Sequence, residues 1–199
     1  MLRYSYTLMA PFYDALVMRA TLNARRASLA RLRPQRESPV VLVGVGSGLD
    51  IPLLPPGPDY LGVDLTPAML RRAQQRQHIT AATVHLVQGD AHHLPCADAR
   101  YAAVILHLIL AVAPQPQRTL AEAVRVLRPG GQLLILDKFL RNGQRAPLRR
   151  FIGPLIGRLA TRTDVELEPL LAAQPELRVI DDQPALVGGW FRQLTLEKL

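Results

Sequence analysis

Apolar residues along this chain come in short, dense runs set apart by mixed stretches, the pattern of buried strands alternating with helices. Val40–Val43, Tyr60–Val63, Val84–Val87, Ala102–Leu106 and Gln132–Leu136 are each short for a globular helix and rich in β-branched or large aliphatic side chains. Strands that are apolar throughout are covered on both faces, so these runs predict a parallel sheet with helices packed on either side, an α/β fold. Near the end, Leu177–Asp181 and Trp190–Leu196 again have strand character, and Pro184 with the Gly188-Gly189 pair between them predicts an antiparallel hairpin. The longest apolar stretch, Ala102–Ala113, falls short of the roughly 20 residues that span a bilayer. It also carries His107 in its middle, so it reads as a core strand running into a loop or helix.

Glycines and acids interrupt the pattern where the strands end. After Val43 come Gly44, Gly46 and Gly48, which remove every second side chain as the strand turns toward a helix, so that a ligand can approach bare backbone. Asp64 falls at the carboxyl end of the second run, where open α/β sheets bind ligands and where a carboxylate can accept bonds from two ribose hydroxyls. Together these features describe a site for adenosine. A dinucleotide loop is spaced Gly-x-Gly-x-x-Gly, whereas here Gly48 follows after one residue and Leu49 comes next, a spacing that suits S-adenosylmethionine better than a pyrophosphate. Asp90, His107 and Asp137 fall at the ends of three further strands, so four polar groups from distant parts of the chain are expected in one crevice.

On these residues, positions 38–140 resemble the class I S-adenosylmethionine-dependent methyltransferases in four successive motifs. The glycine loop is first, with Gly44, Val45, Gly46 and Gly48 as implied cofactor contacts. Asp64 with the following LTPAML resembles the acidic ribose segment and adds Leu65 and Met69. Gly89–Pro95, GDAHHLP, resembles the adenine motif, in which the resemblance gives the Asp90 carboxylate to the adenine amino group and the Ala91 N–H to a ring nitrogen. Ala123–Asp137 resembles the helix, Pro-Gly-Gly turn and fifth strand. The family implies a seven-stranded, mostly parallel, Rossmann-like sheet closed by the C-terminal hairpin, with His107 beside the cofactor. The chain departs from the family at Leu42, where Glu or Asp is usual two residues before the first glycine, and at Cys96 and Tyr101-Ala102, where Phe and Phe-Asp are common.

With 199 residues, 49% of them apolar, the chain can bury one core and reads as one domain. Its expected parts are a helical cover over 1–37, the cofactor core over 38–140, a basic amphipathic cover over 141–175 and the closing hairpin over 176–199. The opening residues lack an uninterrupted apolar signal segment and Cys96 has no cysteine partner, so a cytoplasmic protein is expected. His92, His93 and Cys96 do not describe a metal site, because adjacent histidines point apart and no fourth ligand is near.

Charge changes the picture, because the net +8 is uneven. Residues 1–36 carry seven arginines against Asp14 alone, and residues 138–163 carry Lys138 and six arginines with no acid. Each segment is also amphipathic, with Met9, Phe12, Tyr13, Leu16 and Val17 at helical spacing in the first and Leu148, Phe151, Ile152, Leu155 and Ile156 in the second. Two readings stand: an arginine-rich solvent face, or reversible attachment to an anionic membrane at about 1 kcal/mol per basic residue. Ten scattered aromatic residues do not make a nucleic-acid stacking platform. By the resemblance, both segments cover the acceptor.

Within the methyltransferases, YSYTLMAPFYDAL, GVGSGLDIPLLP and LILAVAPQP most resemble the short bacterial phosphatidylethanolamine N-methyltransferases, with the ubiquinone and menaquinone methyltransferases nearby. The implied reaction is methyl transfer to a lipid or lipid-like acceptor, first a phospholipid headgroup amine, at the inner membrane face. A quinone or other small molecule is the alternative, and Leu42 opens a third, a non-catalytic membrane-associated binding protein on the same scaffold. An alkylamine, with a pKa of about 10, must lose a proton before it attacks. His107 is the expected base or relay, set against a hydrogen-bonded core histidine. Tyr13 is expected as a lid contact or core residue, and Asp137 as an orienting group or a cap. Arg141, Arg145 and Tyr4 are expected to receive the substrate phosphate.

Overall fold

The computed structural model describes residues 20–33, 38–139, 165–186 and 189–199. Tyr4, Tyr13, Arg141 and Arg145, with most of both basic segments, lie outside them. The strands are β1 (Val40–Val43), β2 (Asp59–Asp64), β3 (Thr83–Gln88), β4 (Tyr101–His107), β5 (Leu127–Lys138), β6 (Leu177–Leu186) and β7 (Phe191–Lys198). They form one sheet in the order β3-β2-β1-β4-β5-β7-β6, parallel through the first five and antiparallel where β7 meets β5 and β6. The winding reverses between β1 and β4, and the crevice above such a reversal is where ligands of this architecture sit.

Every run expected as a strand lies in one, save that β7 begins one residue after Trp190, and two adjustments stand out. β6 continues through Pro184 instead of stopping there. It is the edge strand, paired only to β7, so the missing proline N–H is tolerated, and the register slips between Pro184 and Leu186. At the other end of the sheet's parallel part, Leu127 pairs with Tyr101 before pairing resumes at Gln132 with Ala103, so residues 128–131 loop out of the ladder.

Helices cover both faces: α1 (residues 20–29), α2 (Pro67–Gln77), α3 (Pro116–Val126) and α4 (Leu167–Ala172). α2 and α3 each begin on a proline, whose missing N–H is not needed in the first turn. Alternation along the strands sorts the side chains. Val41, Val43, Val104, Leu106, Leu133 and Ile135 pack with Leu120, Ala123 and Val124 of α3 and Leu167 and Leu170 of α4. Val40, Leu42, Ala103, Ile105 and Leu134 face the other way, onto Leu29 of α1, Leu32 just beyond it, and Ala73 of α2. The buried strands are thus a rigid platform from which the loops at their carboxyl ends carry the site. No helix among the described residues is long and apolar enough to cross a membrane.

Candidate functional site

The loop after β1 folds back onto β2. The Val45 N–H reaches the Val63 carbonyl at 3.0 Å, and the Gly46 N–H reaches Asp64 Oδ2 at 2.8 Å. Asp64 Oδ1 accepts the Thr66 N–H at 2.8 Å. Burial pushes the Asp64 pKa up, and the Thr66 and Gly46 N–H groups pull against it. The three glycines, expected to be open to a ligand together, prove to have different reasons. A Cβ on Gly44 would stand 2.5 Å from Ile109 Cδ1, and one on Gly48 would stand 2.8 Å from the Ala73 backbone in α2. Those two glycines serve packing as well as the left-handed backbone, φ +68° and +80°, that all three share. At Gly46, with φ at +55°, the nearest atom would be the Gly44 carbonyl 3.9 Å away, so this glycine alone of the three offers bare backbone to open space, and it does so next to the Asp64 carboxylate. Leu65 follows with 54% of its surface exposed, and half-buried Met69 opens α2. These groups fit S-adenosylmethionine: a ribose on Asp64, backbone at Gly46, and an apolar surface at Leu65.

The exit of β3 joins this corner, since the Gly89 N–H reaches the Asp64 carbonyl at 3.0 Å. Asp90 is exposed, and its Oδ1 accepts both the N–H and the Nδ1 of His92, at 2.8 and 2.7 Å. The backbone bond first, then the His92 ring, holds the Asp90 pKa below its ordinary value. Ala91 packs half-buried against the core. The segment that follows is clasped from α3. Glu122 accepts the Leu94 N–H at 2.7 Å, and Arg125 donates to the carbonyls of Leu94 and Cys96, to the Asp98 carboxylate and back to Glu122.

His107 is at the end of β4 as expected, and its side chain is only 1% exposed. Ser28 of α1 lies 2.9 Å from Nε2, and Asp50 Oδ1 lies 3.1 Å from Nδ1. The same Asp50 oxygen accepts from Arg25 at 2.8 Å, and Arg25 also donates to Thr21 at 2.9 Å. Burial works to raise the Asp50 pKa, but the neighbouring His107 and Arg25 outweigh it and hold the carboxyl well below the usual range. An ionised carboxylate only accepts, which assigns a proton to Nδ1. Asp137, 1% exposed, has a comparable internal duty. Its carboxylate accepts the N–H groups of Ala111 at 3.0 Å and Lys138 at 2.8 Å, and burial pushes its pKa up to about 6. It caps and orients the loop that follows β4.

The four polar groups expected in one crevice therefore divide. Asp64 is half-buried and Asp90 exposed, whereas His107 and Asp137 are buried and engaged by the protein itself. Sequence reading missed Arg25, Ser28, Asp50, Ile109 and the Arg125 clasp. Asp50 alone carried a signal, as an acid between Leu49 and the apolar IPLL.

A methyltransferase domain model matches residues 41–135. Over 189 residues, 94% of this chain and 92% of the relative, the sequence is 30% identical to a phosphatidylethanolamine N-methyltransferase of Cereibacter sphaeroides. It is 30% identical over 139 residues to a demethylmenaquinone methyltransferase of Deinococcus radiodurans, covering 66% of this chain and 58% of that one. Among solved structures, a Haloferax volcanii putative methyltransferase, held in a complex with the Trm112 methyltransferase activator, superposes with a TM-score of 0.79 at 19% identity, covering 100% of this chain and 97% of that one.

Proposed function

Because the chain belongs to the class I S-adenosylmethionine-dependent methyltransferases, we propose that its acceptor is a lipid or lipid-like molecule, first of all the amine of a phospholipid headgroup. The observation that carries this reading is the likeness to the phosphatidylethanolamine enzyme, which runs through 94% of the chain, well beyond the cofactor motifs. The two basic segments, 1–36 and 138–163, add the charge that a phosphate-bearing acceptor requires.

S-adenosylmethionine brings an activated sulfonium methyl, so the protein's own part is to hold two reactants in line and keep water out, a contribution of roughly 7–11 kcal/mol. In this reading Asp64 holds the ribose, Asp90 and the Ala91 N–H hold the adenine, and the Gly46 backbone lies along the remainder. Asp137 fixes the loop after β4 that faces the acceptor. His107 takes a positioning part in place of the base expected from sequence, because both ring nitrogens are engaged by Ser28 and Asp50. Arg141, Arg145 and Tyr4 remain the proposed phosphate contacts, and Tyr13 the proposed lid contact.

A quinone is the second reading, supported by the likeness to the demethylmenaquinone enzyme. One experiment separates them: purified protein with methyl-labelled S-adenosylmethionine, offered phosphatidylethanolamine vesicles in one arm and demethylated quinone in the other. Label in mono- or dimethylated phosphatidylethanolamine is the expected result. Label only in the quinone would replace the first reading by the second.

A further inference from the structure

We propose that Arg25 and Ser28 are positioning residues of the cofactor site, acting through Asp50 and His107 so that the seating of α1 sets the shape of the glycine loop. The geometry closes a ring. Arg25 holds Asp50, which lies two residues beyond Gly48, and the N–H of the next residue, Ile51, bonds the Gly48 carbonyl at 3.1 Å. Ser28 holds His107, and the next residue, Leu108, has φ at +60°, a left-handed conformation unusual for leucine, fixed by its N–H on the Leu136 carbonyl at 2.8 Å. That turn delivers Ile109 onto Gly44, at the opposite end of the same glycine loop. One helix therefore grips both walls of the crevice, β1's loop and β4's end, without any of the four polar groups of the ring needing to touch the cofactor.

Stability alone does not account for the arrangement. Arg25, Ser28, Asp50 and His107 are all buried, and a buried ion pair of this kind is often matched or bettered by apolar side chains of similar size. What it supplies is one orientation. The Asp50 carboxylate makes no capping bond to the helical turn it precedes and is committed to Arg25 and His107. α1 has a separate tether at its far end, where Gln132 donates to the Arg31 carbonyl at 2.8 Å and accepts the Arg33 N–H at 3.1 Å, so the helix stays attached when the ring is opened.

Titration calorimetry with S-adenosylmethionine alone, at a temperature well below each variant's unfolding midpoint, tests this without any acceptor. Ser28→Ala and the charge-free pair Arg25→Met with Asp50→Asn should weaken cofactor binding by about 3- to 30-fold, the range typical of coupled but non-contacting positions. Arg25→Lys, which keeps the charge, should restore affinity to near the wild-type value. Hydrogen exchange at the Gly46 and Gly48 amides should quicken in the weakened variants while the amides of β5 keep their protection. Wild-type affinity in a folded Ser28→Ala and in the folded charge-free pair would overturn the proposal. So would a fall in unfolding midpoint with no change in affinity. Because no lipid is present, the outcome is independent of which acceptor the enzyme uses.

Discussion

Both oxygens of the Asp64 carboxylate accept a backbone N–H and the Thr66 hydroxyl bonds it as well, yet an ionised carboxylate has about four acceptor positions, so room remains for a hydroxyl arriving from the open side. Asp64→Ala should cost roughly 1.5–3 kcal/mol of S-adenosylmethionine binding, the worth of a charge-assisted bond. Calorimetry on the folded variant checks it, and unchanged affinity would place the ribose elsewhere. Leu42 makes the opposite case. Here the family's usual acid is replaced by a side chain 1% exposed, in a cluster with Val40, Val45, Ile51, Leu54 and Tyr60. Leu42→Glu therefore buries a carboxylate among apolar neighbours and should cost about 2–5 kcal/mol of stability, read as a lower melting temperature, without improving cofactor affinity. Tighter binding at an unchanged melting temperature would show instead that residue 42 can reach the cofactor as the family's acid does.

Elements are joined at this site by buried carboxylates, and one of them makes the joint sensitive to pH. Asp137 at the end of β5 fixes the loop after β4, and burial raises its folded pKa to about 6 from an unfolded value of 3.8. The folded protein thus binds more protons than the unfolded chain between those values. The contribution is fully present below about pH 4 and is lost as the pH rises through about 6, with a span on the order of 3 kcal/mol. Urea unfolding from pH 4 to 7 should show wild type losing stability relative to Asp137→Asn across that window; parallel curves would mean that Asp137 ionises in the fold at no cost. The strands themselves were legible because each is a short run of β-branched or aliphatic residues, and Asp64 was legible because it ends one. Pro184 misled because a proline breaks a central strand but not an edge strand, and only the sheet order says which this is. The Ser28–His107 and Asp50–His107 contacts span 79 and 57 residues of sequence, so no local pattern announces them.

Across the whole molecule, the proposed lipid acceptor raises the question of how a water-excluding methyl-transfer site would meet a substrate held in a bilayer. The cofactor motifs occupy the strand ends from β1 to β4, and β5 then leads directly into residues 140–164, outside the described part but strongly marked in sequence. From Lys138 to Thr163 there is no acid, and Leu148, Phe151, Ile152, Leu155 and Ile156 recur among the arginines, which supplies both attraction to an anionic surface and an apolar face to insert. Its root, Lys138, adjoins Asp137 on β5, and on the proposed function a headgroup drawn to this segment would be delivered near that strand end. Neutralising Arg145, Arg149 and Arg150 together should remove about 1 kcal/mol of membrane affinity per charge, seen as reduced sedimentation with anionic vesicles. Wild-type sedimentation should fall as salt shortens the screening length, and neutral vesicles should bind little at any salt. The triple change leaves the described cofactor residues untouched, so S-adenosylmethionine affinity should hold while methylation of vesicle lipid falls. Equal vesicle binding by wild type and the triple variant, or none at low salt, would remove the membrane from the account and leave an enzyme that takes its acceptor from solution.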